Sequence, residues 1–141
     1  MAMKAINEEK LREIAQKHEL KLLLVFGSQA SGKTHKFSDY DFGFLANAKL
    51  NYQQKSELEN DLAKLVACQF VEVVDLKKAS PFMLKEIIKN NQLLFEQEFE
   101  YENFFSYAVR TYLNAGKLFE LQKQLYNQTI KKYKSNKIYA E

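Results

Sequence analysis

Apolar and polar positions alternate in blocks along this chain, and the period changes from block to block. Residues 22–26, Leu-Leu-Leu-Val-Phe, are continuously apolar, and so is most of residues 42–45, Phe-Gly-Phe-Leu. Runs of that length bounded by Gly and polar clusters read as buried strands, so strands are expected at 21–26 and 40–45. Residues 70–76, FVEVVDL, form a third strand rich in β-branched side chains. The short apolar run at 92–96 is a candidate edge strand. Elsewhere the period is helical. Residues 6–18 place Leu11, Ile14 and Ala15 on one face behind an Asn7 cap, with Glu8 and Glu9 in the first turn. Residues 51–66 do the same with Leu58, Leu62, Leu65 and Val66. Ser80-Pro81 opens another helix, Ser as cap and Pro in first position, with Phe82, Met83, Ile87 and Ile88 as its expected apolar stripe. A long helical pattern runs from about 98 to 134. Strands alternating with helices predict an α/β layer structure. The direct strand–loop–strand passage across residues 27–41 predicts that its two strands are neighbours.

That passage carries the candidate chemistry. It begins Gly27-Ser28 and ends Asp39-Tyr40-Asp41. Residues two apart on a strand share a face, so both carboxylates lie about 6–7 Å apart on one side of the sheet, with Tyr40 and Phe42 on the other. Two like charges on one face repel, and a hard cation such as Mg²⁺, which takes carboxylate and phosphate oxygens, relieves the repulsion. In FVEVVDL, Glu72 and Val74 share one face, and Val71, Val73 and Asp75 the other. Glu72, flanked by valines, is costly to bury unless paired or metal-bound. Asp75 stands at the strand end, where an acid commonly caps a turn. Glu72 is therefore the preferred third acid.

Two phosphate motifs compete for the same residues. Residues 27–34, GSQASGKT, match the P-loop pattern G-x-x-x-x-G-K-[ST]. A P-loop must follow a strand and open a helix. Only residues 35–38 separate Thr34 from the paired acids, too few for a three-turn helix. The second pattern joins Gly27-Ser28 to Asp39 and Asp41 as G-S-x10-D-x-D. In that reading Gly27 lets backbone approach a phosphate, and Ser28 with a short helix opening beside it offers N–H groups.

The G-S-x10-D-x-D arrangement resembles the nucleotidyltransferases related to the catalytic domain of DNA polymerase β. More narrowly, GSQASG, SDYDFG, VEVVDL and ASPFMLKEIIKNNQLLFE, in that order over roughly residues 8–120, resemble the minimal nucleotidyltransferase (MNT) antitoxins of HEPN/MNT toxin–antitoxin pairs. The resemblance implies a polymerase β-like fold, with a small mixed sheet packed by helices and a long C-terminal helix. It implies a protein that uses ATP and Mg²⁺ to attach AMP to a tyrosine of a cognate HEPN ribonuclease toxin, silencing it. Carried over, Gly27, Ser28, Lys33 and Ser38 would bind the nucleotide. Asp39, Asp41 and Glu72 would be the catalytic, metal-holding acids. The family often has Arg at the positions of Gln29 and Ser31 and usually Asp at that of Glu72; Lys33 and Lys36 are the candidate sources of positive charge. The alternatives are an antitoxin that neutralises by binding alone and, more remotely, a P-loop NTPase.

Composition narrows the picture only a little. With 141 residues, 46% apolar and 28% charged, the chain suits one soluble domain. A net charge of +3 does not argue for nucleic acid. No apolar run approaches the roughly 20 residues of a membrane span, and the first residues lack the apolar core of a signal peptide. Cys68 has no partner cysteine and reads as a buried thiol. A cytoplasmic protein is expected. His18 and His35 do not stand at zinc-ligand spacing; His18 reads as a helix-end residue.

The expected division is a nucleotidyltransferase domain over 1–97 and a C-terminal helix over 98–141, packing on the domain and extending to a partner. Phe105, Tyr112, Phe119, Tyr126 and Tyr133 recur every seven residues, drifting only about 20° per step. A helix from 98 to 134 is roughly 55 Å long, whereas a chain of this size has a radius of gyration near 15 Å. Phe105 and Tyr112 are expected to close the core. Phe119, Tyr126 and Tyr133, beside Lys131, Lys132 and Lys134, are expected to meet the partner, since aromatic residues with polar tips commonly anchor interfaces.

Overall fold

The computed structural model describes residues 6–31 and 39–140. Nine elements follow one another there: α1 (Glu8–Lys17), β1 (Leu20–Phe26), α2 (Ser28–Ser31), β2 (Tyr40–Ala46), α3 (Tyr52–Val66), β3 (Val71–Asp75), α4 (Pro81–Lys89), β4 (Asn91–Glu96) and α5 (Glu100–Ala140). The strands form one mixed sheet in the order β3-β2-β1-β4. β1 runs antiparallel to both β2 and β4, while β2 and β3 are parallel. The two motif-bearing strands are therefore neighbours, and the run at 92–96 is an edge strand.

Helices cover both faces, which is why β1 carries no polar alternation between Leu22 and Val25, all fully buried. A register shift between Leu20 and Leu22 puts Leu20, Leu23 and Val25 on one face. There they join Tyr40, Phe42 and Phe44 of β2 and pack under Leu11 and Ala15 of α1 and Leu58, Leu62 and Val66 of α3. The opposite face presents Leu22 and Leu24 to Leu76, to Leu84 and Ile87 of α4, and to Phe104 and Ala108 of α5. The α1 and α3 helices are also tied by polar groups. His18, the α1 C-cap, is buried with its Nε2 2.7 Å from Asp61 Oδ2, and Lys17 Nζ donates to the same oxygen at 2.9 Å. Burial raises the Asp61 pKa, but the hydrogen bonds from His18 and Lys17 outweigh it and leave the carboxyl below its ordinary value.

Gly43 is where the second face is tightest. A Cβ there would lie 2.7 Å from Leu76 Cδ2 and 3.1 Å from Leu24 Cδ1, and both leucines are fully buried. Overpacking of this kind typically costs about 1–3 kcal/mol. Gly43→Ala is expected to lower the unfolding free energy by that amount, read as a lower urea midpoint with an unchanged slope; an unaltered midpoint would mean the leucines move aside freely.

Three expectations are corrected. The buried residues of α4 are Leu84 and Ile87, while Phe82 and Met83 are exposed. Phe105 does not close the core: it is 41% exposed, and Phe104 and Ala108 occupy that place. The cause is helical phase. The inward face passes from Phe104 and Ala108 in the core to Tyr112 and Phe119, which meet Phe82 of α4, and a strict seven-residue line from Phe105 joins it only at Tyr112 and Phe119. Cys68 is half-buried, with its Sγ 3.7 Å from the Phe70 carbonyl oxygen. Among the described residues no helix is long and apolar enough to cross a membrane.

Candidate active site

The site is built from the start of β2, the end of β1 and the start of β3. Tyr40 and Phe42 turn into the α1/α3 layer, so Asp41 must turn to the opposite face. Asp39 precedes the strand and is exposed. In the β2–β3 register Asp41 is opposite Glu72, and in the β1–β2 register it is opposite Phe26. Partners across a sheet share a face, so Asp41 and Glu72 stand side by side, about 4.8 Å apart between strands. Val73 of β3 is buried in the other layer and Glu72 is exposed. Asp75 ends the strand, its Oδ1 accepting from the Lys77 N–H at 3.0 Å. That is a turn-capping role, and it leaves Glu72 as the acid beside Asp41.

Gly27 follows β1 with φ +72°, a conformation that side chains other than glycine's rarely adopt. A Cβ there would sit 3.1 Å from Asp41 Oδ2, so the glycine also makes room for this carboxylate. Ser28 opens α2, a single short turn lying against β1, β2 and β4. Gln29 of that turn is buried. The proposed phosphate residues Gly27 and Ser28 thus adjoin Asp41, while Lys33 and Ser38 lie outside the described residues. β2 begins at Tyr40, leaving residues 32–39 after α2. Three helical turns need about 11 residues, and the following strand pairs antiparallel to β1, so the P-loop reading fails on both counts.

The electrostatics bear on a cation. Burial raises the Asp41 pKa, and the charges of Glu72 and Asp39 raise it further. Folding therefore disfavours the Asp41 carboxylate, and that penalty is relieved as pH falls through the raised pKa. Hard oxygen donors that repel one another on one face fit Mg²⁺, although no three such groups among the described residues already converge on a single point. Glu72→Gln removes one of the raising charges but leaves the burial. The Asp41 carboxyl, followed by carbon-detected NMR, is expected to titrate at lower pH in that variant than in the wild type. An unshifted titration would uncouple the two acids.

A mixed sheet with a Gly-Ser turn after its central strand and carboxylates on two adjacent strands defines a nucleotidyltransferase of the polymerase β type. Residues 9–100, more than half of the chain, match the model of the polymerase beta nucleotidyltransferase family, and the protein belongs to it. Within that family it stands with the MNT antitoxins. Over 111 residues, 77% of either chain, it is 30% identical to the protein adenylyltransferase MntA of Shewanella oneidensis. The fold superimposes with TM-score 0.67 and 26% identity on a toxin–antitoxin structure containing AMP-PNP, covering 85% of this chain and 99% of that one. It also superimposes, with TM-score 0.60 and 23% identity over 84% of this chain and 95% of that one, on a chain from the complex of a tri-AMPylated Shewanella oneidensis HEPN toxin with its MNT antitoxin. This second likeness bears on the fold.

Phe119, Tyr126 and Tyr133 all lie on α5. Tyr126 and Tyr133 are 65% and 60% exposed. Phe119 differs: its ring stands 5.3 Å from that of Phe82, which also meets Tyr112 edge-on. Lys85 Nζ lies 5.3 Å from the Tyr112 ring centre. Phe82, expected in the apolar stripe of α4, is instead exposed and meets Tyr112 and Phe119 of α5.

Proposed function

We propose that the protein is an antitoxin that transfers AMP from ATP to a tyrosine hydroxyl of a cognate HEPN toxin and so neutralises it, in the cytoplasm. The observation that carries the reading is the placement of Asp41 opposite Glu72, on one face, beside the Gly27-Ser28 turn. Asp39, Asp41 and Glu72 would hold Mg²⁺, which when bound neutralises triphosphate charge and orients it. Gly27 brings backbone close to the phosphates and Ser28 donates to them, with Lys33 and Ser38 adding contacts from the connecting segment. Glu72 takes the tyrosine proton as the phenol oxygen bonds to the α-phosphorus. The bond from that phosphorus to its bridging oxygen breaks, and pyrophosphate leaves. A phenol of pKa near 10 is a weak nucleophile at neutral pH, so a positioned base is worth about 10²–10⁴ in rate.

The same proposal assigns the second half of α5 to the toxin. Residues 117–136 carry five lysines and one acid, Glu120. That charge opposes self-pairing of two such helices and favours an acidic partner surface. Incubation of the protein with labelled ATP, Mg²⁺ and the purified toxin is expected to label the toxin on tyrosine. A toxin left unlabelled while the complex forms would overturn the enzymatic reading.

A further inference from the structure

The acids belong to a longer row. Glu72 is opposite Asp41, Asp41 opposite Phe26, and Phe26 opposite Asn91 on β4. The four side chains therefore project from one face in a single line across all four strands. Phe26 is half-buried and packs on the Leu22/Leu24 cluster, as does Tyr101 of α5. Asn91 is fixed at both ends: Tyr101 donates its hydroxyl to Asn91 Oδ1 at 2.6 Å, and Asn91 Nδ2 donates to the Ile87 carbonyl oxygen at 3.0 Å. Because the Ile87 oxygen can only accept, the orientation of the amide is determined. One N–H and one oxygen lone pair remain unspent.

We infer that Asn91, oriented by Tyr101 and Ile87, reads the nucleobase and selects adenine. The inference rests on the nucleotide-transfer reading above. Two strand spacings, about 10 Å, separate Asp41 from Asn91, leaving room for a ribose between phosphates held at the acids and a base at β4. The short α2 turn, which begins at Ser28, lies against β4 as well as β2, so the phosphate end and the strand that carries the amide are neighbours. Phe26 stands between them as a flat apolar surface for the sugar and base. An amide offering one donor and one acceptor pairs with the N7 and amino group of adenine. Guanine presents two acceptors on the same edge, and the amide oxygen would find no donor there.

The test is calorimetric titration of the full-length protein with ATP and with GTP, for wild type, Asn91→Ala and Tyr101→Phe. The wild type is expected to prefer ATP. Asn91→Ala should weaken ATP binding about tenfold or more while leaving GTP unchanged, and Tyr101→Phe, which frees the amide to turn, should lose part of the preference. An ATP-to-GTP ratio unchanged in both variants overturns the inference, and so does equal weakening of both nucleotides, which would mark a merely structural junction. Tyr101→Phe keeps the packed ring and carries the test should Asn91→Ala fail to fold. A wild type that selects ATP but labels no partner would sink the proposed function and leave this inference standing.

Discussion

Replacing both Asp39 and Asp41 by Asn is expected to abolish AMP transfer to the toxin while leaving the fold and the complex intact. The side chains are nearly isosteric, and neither is part of the two apolar clusters. What is lost is the anionic oxygen set, and with it the neutralisation of a triphosphate. Metal-mediated charge stabilisation is worth several kcal/mol, so the transfer rate should fall by about 10³-fold or more. Asp41 should if anything gain stability as Asn, because burial and the neighbouring acids disfavour its charge. The measurement is a labelling time course beside a thermal melt of the same preparation. Continued labelling by the double variant would remove these residues from the chemistry. The variant also separates two modes of neutralisation in cells. Failure to rescue growth despite an intact complex means chemistry silences the toxin; full rescue means that contact does.

A chain ending after Glu120 is expected to fold and to lose the toxin. α5 spans 41 residues, roughly 62 Å at 1.5 Å per residue. Its described core contribution is Phe104 and Ala108 with Tyr101 packed against the same cluster, followed by ring contacts of Tyr112 and Phe119 with Phe82. Ending after Glu120 retains all of these. It removes Leu121, Leu125, Tyr126 and Tyr133, each at least half exposed, together with Lys123, Lys131, Lys132 and Lys134. Exposed aromatic anchors in a basic setting are the residues whose loss weakens an interface most, commonly by about 2 kcal/mol or more each. Size-exclusion chromatography should show free toxin, and circular dichroism an otherwise folded domain. An undiminished complex would move the interface elsewhere. An unfolded truncation would show that the distal helix supports the domain itself.

Much of this was legible in the chain because the signals are local. Leu22–Val25 could be assigned as strand from its own apolarity, α3 from the spacing of Leu58, Leu62 and Val66, and the α4 start from Ser80-Pro81. The alternation of Asp39, Tyr40, Asp41 and Phe42 dictated which side chains turn to the core and which to the opposite face, since strand geometry leaves one choice once Phe42 is buried. Glu72 could be preferred over Asp75 by its place among valines. Three things required the assembled fold. Asp41 and Glu72 become neighbours only through the parallel pairing of β2 with β3, two segments about thirty residues apart whose register is set by packing under α3 and not by either segment. Asn91 joins their row only because β4 closes on β1, and its amide is oriented only because Tyr101 arrives from α5. The phase of α5 was also a tertiary decision. A seven-residue aromatic line drifts around a 3.6-residue helix, so packing against α4 and the sheet selected Phe104 and Ala108 over Phe105. Local periodicity states that a face exists; contact with the rest of the molecule decides which face it is.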